Sequence, residues 1–415
     1  MRISTLLLAL LAAPALLTAQ CDGERYRKFV FDSFAKTADI LYGSNYDFNE
    51  IVQDLYLDVY TPNGDTETAR PLVILAHGGS FMFGAKDGED VVPLAEDLTK
   101  MGFVVASIQY RLGINLATLN LEGTATEAVV RGFHDMKAAI RYFRKDVAEN
   151  GNSFGIDPDQ IYLGGVSAGG FITLHCGAMD QESELPDYLD YTELGLTGGI
   201  EGDTGNQGYS SEIAGLFNIA GAIKDTAYMS AQDPPMLNFH GTEDTVVPFD
   251  ADLLYLLSAF PVTEVDGSNA VAQKADELGL VNCFEIYEGQ GHVPHTSNEA
   301  YYDTTRSIIS NFLSHLVCEN IELDCSYREI LVGVDEQPRT SLKVWPNPAT
   351  DQVRLELPGT LRGELLAIRD LHGREVRSWR ASSLVESLNV SELPAGVYHV
   401  VVANRPEVGT RLVIR

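Results

Sequence analysis

Positive charge is scarce in this chain. Against 59 Asp and Glu stand only 29 Lys and Arg, a formal net charge of −30 over 415 residues. So acidic a surface repels phosphate backbones and anionic lipid, which argues against nucleic acid or a membrane surface as a partner of the whole molecule. Tryptophan is limited to two residues and cysteine to five, and no C-x-x-C or Cys/His spacing suits zinc. Glycine and proline stand near ordinary usage, with 45% hydrophobic and 21% charged residues, which excludes collagen-like, low-complexity and coiled-coil architectures for the whole. Beyond the first residues no apolar run reaches the ~20 residues needed to span a bilayer.

What is present begins with an address. Met1-Arg2 supplies a basic start, Leu6 to Leu17 an apolar stretch, and Leu17-Thr18-Ala19 a small-residue end, so residues 1–19 read as a signal peptide cleaved before Gln20. The apolar stretch is short for an anchor. A lipoprotein attached through Cys21 would want a small residue just before the cysteine, and Gln20 is not one. Export carries Cys21, Cys176, Cys283, Cys318 and Cys325 into an oxidising compartment. Cys318 and Cys325 are close enough in sequence to close a short loop, and an odd count leaves at least one thiol unpaired.

The acidity is unevenly spread. Ser341–Arg415 holds 10 basic and 8 acidic residues, +2, whereas Ala19–Thr340 holds 18 against 51, −33. This divides the mature chain into a large acidic domain, 20–334, a polar linker, 335–340, and a C-terminal domain, 341–415. Within the first, Asp180–Glu212 carries nine acids and no Lys or Arg, the pattern of an exposed loop, cap, lid or rim. These acids lack EF-hand spacing, so a solvated loop is the expectation rather than a calcium site.

Apolar runs alternate with helical patterns along the middle of the chain. Leu72–Ala76, Phe103–Ile108, Ile161–Val166, Ile213–Ala220, Met236–Phe239 and Phe284–Tyr287 read as short buried strands. Helical spacing marks Thr126–Asn150, where Val129, Phe133, Met136, Ile140, Phe143 and Val147 recur every three or four residues, then Ala168–Met179 and Tyr301–Val317. Such alternation predicts an α/β fold, a mostly parallel central sheet with helices on both faces.

Chemistry gathers at the ends of those strands. Gly165-Val166-Ser167-Ala168-Gly169 fits the G-x-S-x-G elbow, a strained strand-to-helix turn that exposes a serine nucleophile. A tight glycine turn with an incidental serine is the bland alternative. It loses weight because an acid and a histidine follow in the order this elbow requires, each just after a later strand. The acid is Asp244 in His240-Gly-Thr-Glu-Asp244, with Glu243 as the alternative; the base is His292 in Glu288-Gly-Gln-Gly-His292-Val-Pro-His295, with His295 as the alternative. Imidazole would take the weak hydroxyl's proton, while the carboxylate orients the ring. His77-Gly78-Gly79-Ser80-Phe81 follows the first strand, where backbone amides of Gly79 and Ser80, with that of Ala168, would form an oxyanion hole. His77 itself is expected to brace the loop.

Together with Gln109-Tyr-Arg-Leu112, Gly155-Ile-Asp-Pro-Asp-Gln-Ile161 and Gly165–Gly170, these segments resemble the α/β-hydrolase esterases, near the hormone-sensitive-lipase, carboxylesterase and feruloyl-esterase-like branches. The resemblance covers about Val52–Leu316. It implies carboxylic ester hydrolysis through an acyl-serine without a cofactor, on a small-molecule or glycan-linked ester; secreted members often deacylate plant polysaccharides. Two other functions share the fold. A prolyl-oligopeptidase-type peptidase usually carries Tyr after the nucleophile, where this chain has Ala168, and a propeller domain, of which no repeat-containing region gives a sign. A non-catalytic adhesin would typically have lost a triad member, and none is missing here.

The last segment reads as a small C-terminal β-sandwich. Val353–Leu357 alternates strictly, Val397–Ala403 and Arg411–Arg415 are strand-like, and turns fall at Pro358-Gly359 and His372-Gly373. Val344-Trp-Pro-Asn-Pro-Ala-Thr350, Asp370–Arg374 and Leu393–Tyr398 resemble the type IX secretion C-terminal sorting domain. That implies the type IX secretion machinery as partner, passage through the periplasm, and release or cell-surface attachment. A carbohydrate-binding sandwich is the rival, but with Trp345 inside the sorting motif only Trp379 is left for a stacking platform.

Overall fold

The computed structural model describes residues 21–329 apart from 119, 258 and 319, and 342–415 apart from 358–363, 371–373, 382, 384 and 404. The proposed leader, the linker 335–340 and the two glycine turns of the last domain lie outside the described residues. Two compact units divide at 329/330.

The first unit opens with β1 (Phe34–Tyr46), β2 (Val52–Pro62), β3 (Arg70–Ala76), α1 (Val92–Lys100), β4 (Val104–Ile108), α2 (Leu121–Glu149), β5 (Ile156–Val166) and α3 (Ala168–Ala178). It continues with β6 (Gly215–Ile219), β7 (Ala222–Ile223), β8 (Met236–Gly241), β9 (Ala251–Leu256), β10 (Phe260–Gly267), α4 (Ser268–Leu278), β11 (Asn282–Tyr287) and α5 (Glu299–Val317). Eight strands form one sheet in the order β1-β2-β4-β3-β5-β6-β8-β11. The pairs β1/β2 and β2/β4 are antiparallel and the remainder parallel. Helices α1 and α5 pack on one face, α2, α3 and α4 on the other. Both faces being covered, the inner strands are buried throughout and chiefly apolar, which is why short apolar runs identified them.

Some elements carry no such mark. The edge strand β1 is mostly exposed, and two bulges break its alternation. Helix α2 starts at Leu121, five residues before the expected Thr126, because the Asn120 side chain accepts from the Gly123 N–H at 3.0 Å and caps the polar first turn. Strands β7, β10 and β9 form a separate antiparallel sheet in which β7 is buried and β9 and β10 are largely exposed or half-buried.

The expected Cys318–Cys325 bridge is not formed. Cys318 pairs with Cys21 and Cys325 with Cys283, at Cα separations of 5.6 and 5.4 Å, leaving Cys176 free. Cys318 ends α5 and faces the N-terminal segment, whereas the following turn carries Cys325 across to β11; proximity in sequence did not decide proximity in space. The Cys21 thiol that a lipid anchor would require is thus committed.

Asp180–Glu212 is an exposed acidic surface with a firmly held backbone. Its carboxylates mostly face solvent, but buried groups of α2 reach its carbonyls and Glu201: Lys137 Nζ bonds Ile200 O at 3.0 Å and Glu201 at 3.1 Å, and Arg141 Nη1 bonds Glu201 O at 2.9 Å. Fully buried Arg111 pairs with Asp135 at 2.7 Å and donates to Gly195 O at 2.8 Å. Between them His134 Nε2 donates to Gly199 O at 2.8 Å.

The second unit holds β12 (Lys343–Trp345), β13 (Gln352–Glu356), β14 (Leu365–Asp370), β15 (Glu375–Arg380), β16 (Val385–Asn389), β17 (Gly396–Val402) and β18 (Arg405–Ile414). Antiparallel sheets β12-β13-β16 and β15-β14-β17-β18 enclose a core that includes Leu355, Leu388, Ile368, Val400 and Leu412, a small β-sandwich.

Burial, reinforced by the charges of Arg111, Lys137 and Arg141, pushes the His134 imidazole down to about 3. Unfolded, the same ring takes a proton below about 6.5. The unfolded chain therefore binds more protons between those values, and this stability is present above about pH 6.5 and lost as pH falls toward 3. Thermal midpoints measured from pH 7 to pH 4 should fall, and fall less steeply in His134→Gln; parallel curves for the two proteins would show that His134 carries none of the dependence.

Candidate active site

Parallel neighbours β5, β6, β8 and β11 bring their carboxyl ends to one edge of the sheet, the place where open α/β sheets build sites. Ser167 stands at the end of β5 with φ 54° and ψ −114°, outside the conformations an L-residue prefers. Its neighbours make the bend possible. A Cβ on Gly165 would collide with the Gly169 carbonyl, and one on Gly169 with that of Ala76, so helix and strand approach only because both are glycine. The Ser167 N–H donates to Ile219 O at 2.8 Å, fastening the turn to β6.

The loops after β8 and β11 deliver the other groups. His292 Nε2 lies 2.9 Å from Ser167 Oγ, and His292 Nδ1 lies 2.6 Å from Asp244 Oδ2. Because a carboxylate can only accept, Nδ1 carries the proton and Nε2 is left to accept from the serine hydroxyl. The Asp244 side chain is fully buried. Oδ1 accepts from the Val246 and Val247 N–H groups at 2.8 and 3.0 Å. Burial alone would raise this carboxyl, but hydrogen bonds from His240 and His292 and from the Val247 N–H hold it well below the usual carboxylate range.

The alternatives are placed elsewhere. Glu243 is exposed, and His295 is buried against Asp90, its Nε2 3.3 Å from the Asp90 carbonyl. Two contributors escaped sequence reasoning. His240 Nε2 donates to Val247 O at 3.1 Å and sits 3.2 Å from Asp244 Oδ2, the same oxygen that His292 meets. Asp90 Oδ2 accepts the Gly78 N–H at 2.7 Å and pins the glycine loop. The His-Gly pair preceding the acid is a signal for the first; nothing near Asp90 signals the second.

Gly78 brings that loop against the Ser167 side chain. Ser80 and Phe81 both have positive φ, 55° and 56°, bending it sharply. Among the described residues the backbone N–H groups of Gly79, Ser80 and Ala168 donate to no protein atom. His77 is fully buried, stacks on Tyr110, and receives the Tyr110 hydroxyl's bond on its carbonyl at 2.9 Å, the bracing position expected of it. Among the described residues no group of three or more His, Cys, Asp or Glu is gathered to hold a metal ion.

Sheet order, elbow and the hydrogen-bonded line Asp244–His292–Ser167 define an α/β-hydrolase. Within it, residues 57–197 match the BD-FAE family model, while residues 343–415 match the secretion system C-terminal sorting domain. The chain is 26% identical over 268 residues to a probable isoprenylcysteine alpha-carbonyl methylesterase of Arabidopsis thaliana, covering 57% of this chain and 48% of that protein. It is 36% identical over 115 residues to gut esterase 1 of Caenorhabditis briggsae, covering 28% and 19%. The chain thus spans about half the length, or less, of the curated relatives it matches. A solved esterase of Thermogutta terrifontis is similar at 21% identity and TM-score 0.47, with 67% of this chain and 93% of that one covered.

A phosphonylating probe that reacts with activated serine reads this geometry directly. Asp244→Asn should slow labelling of Ser167 by about 10³-fold or more, because the His292 tautomer loses its partner, and Glu243→Gln should leave it unchanged. The reverse ranking would move the acid to Glu243.

Proposed function

We propose that this chain is a secreted serine carboxylic ester hydrolase. The observation that carries the reading is the unbroken line from the Asp244 carboxylate through His292 to the Ser167 hydroxyl, with three unengaged amides beside it. Ser167 Oγ attacks the ester carbonyl as His292 Nε2 takes its proton, so the C–O bond to serine forms while the carbonyl oxygen becomes an oxyanion. The N–H groups of Gly79, Ser80 and Ala168 donate to that oxyanion. His292 then returns the proton to the leaving alkoxide, the ester bond breaks, and an acyl-serine is left. Water, deprotonated by the same imidazole, repeats the sequence and releases the carboxylic acid. Asp244 stays ionised throughout and stabilises the imidazolium; His240 fixes its position.

Ester substrates met outside the cell include acylated carbohydrates, and a glycan-linked ester is the substrate class the family resemblance favours. The sorting domain, residues 343–415, supports secretion or attachment at the cell surface, with the type IX machinery as the partner; the periplasm is the proposed route.

Purified Gln20–Thr340 should hydrolyse short p-nitrophenyl esters and leave Pro-p-nitroanilide intact, and Ser167→Ala should cut ester turnover by about 10⁴-fold or more. Unchanged turnover in that variant would remove Ser167 from the mechanism. Separately, a chain lacking Ser341–Arg415 should keep its activity in the producing cell but collect in the periplasm; normal surface delivery of the truncated protein would contradict the sorting role.

A further inference from the structure

Oxyanion donors work only if their N–H groups stay aimed at one point beside Ser167. A trans peptide directs its N–H and its C=O oppositely, so each donor's aim is set by whatever holds the carbonyl of the same peptide. For Gly79 that carbonyl is Gly78 O, which accepts from His77 Nδ1 at 2.7 Å. For Ser80 it is Gly79 O, met by the Met82 and Phe83 N–H groups at 3.0 and 2.9 Å. For Ala168 it is Ser167 O, which takes the Phe171 N–H at 3.1 Å in the first turn of α3.

The first two of these bonds lie inside the glycine loop and travel with it. The loop must therefore be fixed from outside, and the adjacent Gly78 and Gly79 make its root compliant. At that root the peptide joining His77 to Gly78 is gripped at both ends: its carbonyl accepts from the Tyr110 hydroxyl at 2.9 Å, and its N–H donates to Asp90 Oδ2 at 2.7 Å. Gly78 packs so closely that a Cβ there would lie 3.2 Å from Ser167 Cβ and 3.3 Å from Asp90 Oδ2. A shift of this one peptide would move the Gly79 and Ser80 amides relative to the nucleophile. Asp90 itself stands on a firm footing, two residues before α1, in a turn where the Val91 and Val92 N–H groups donate to Gly88 O at 3.2 and 3.0 Å. Its carbonyl accepts from buried His295 Nε2 at 3.3 Å, on the segment that follows His292. One residue thus touches both the oxyanion loop and the loop of the catalytic base.

Building on the serine esterase reading, we infer that Asp90 is a positioning residue for the oxyanion hole: by accepting the Gly78 N–H it holds the Gly79 and Ser80 amides where the tetrahedral intermediate needs them. Asp90 is not among the residues that line the largely apolar cleft beside Ser167, so its effect falls on the transition state rather than on substrate binding.

The test uses the mature full-length chain, p-nitrophenyl butyrate, and an alkyl trifluoromethyl ketone, whose carbonyl carbon takes up the Ser167 oxygen to give a hemiketal oxyanion in place of that of the ester. Acylation and deacylation both pass through the oxyanion, so kcat reads the hole whichever step is slower. Asp90→Ala should lower kcat about 10²-fold with KM within about threefold of the parent, and should weaken ketone inhibition by a similar factor. Asp90→Asn keeps an acceptor oxygen for the Gly78 N–H and should recover kcat to within about tenfold of the parent. Asp90→Leu, close to Asp in shape but without an acceptor, should behave as Asp90→Ala does, which separates the lost hydrogen bond from a lost side chain. A kcat within about threefold of the parent in either folded variant, a rise in KM in place of the fall in kcat, unchanged ketone inhibition, or an Asp90→Asn no better than Asp90→Ala would overturn the assignment and leave the esterase reading standing. A parent chain that turns over no ester and does not bind the ketone would overturn both.

Discussion

Everything chemical in this protein hangs on one close approach, the passage of helix α3 across the ends of β3 and β5. The carbonyls of Ala76 and Gly169 stand where ordinary side chains would be, and this proximity is what forces Ser167 to a positive φ at the tip of the turn. The strain persists because the surroundings over-determine it: Ser167 N–H is tied to β6, and Gly165 is held in the β5 ladder between β3 and β6. From that tip the hydroxyl meets a histidine delivered two strands beyond β6. The same approach sets the N-terminal turn of α3 against the carbonyls of Ala76 and His77, the residues that lead into the glycine loop.

A second constraint follows from the shortage of cations. Several of the few basic residues in the first unit are inside it: Arg111, Lys137 and Arg141 are all nearly inaccessible to solvent. They donate to carbonyls of the acidic segment, and Arg111 also meets a buried carboxylate, so desolvating them is offset by charge-assisted hydrogen bonds rather than by a single ion pair. The surface is accordingly more acidic than the formal charge alone implies. Pro186 of the same segment lines the largely apolar cleft beside Ser167, so cations that shape no chemistry themselves help to hold one of its borders.

Legibility varied with how local each signal was. Strands covered on both faces, such as Leu72–Ala76, declared themselves because burial on both sides leaves no polar positions. The elbow was readable because the turn requires glycine at fixed offsets around the serine. Strand β1 was not, since an exposed edge needs no alternation and its bulges erase what remains. The bridges Cys21–Cys318 and Cys283–Cys325 were misjudged for the opposite reason: spacing suggested a short loop, while the path of the chain after α5 carried the two thiols to different partners.

The sequence by itself determined the kinds of residue the site would use, their order, and the division between an acidic catalytic region and a near-neutral sorting segment, because residue type, glycine placement and charge are properties of the chain alone. Only the tertiary structure decided which of Asp244 and Glu243, or His292 and His295, meets the serine. Neighbouring residues in a loop differ by direction rather than by chemistry, and direction is set by backbone the sequence pattern does not encode. For the same reason His240 and Asp90 became visible only once β8 and the glycine loop were packed around the elbow. Their roles consist in distances that residue type does not encode, 3.2 Å from His240 to Asp244 and 2.7 Å from Asp90 to the Gly78 N–H.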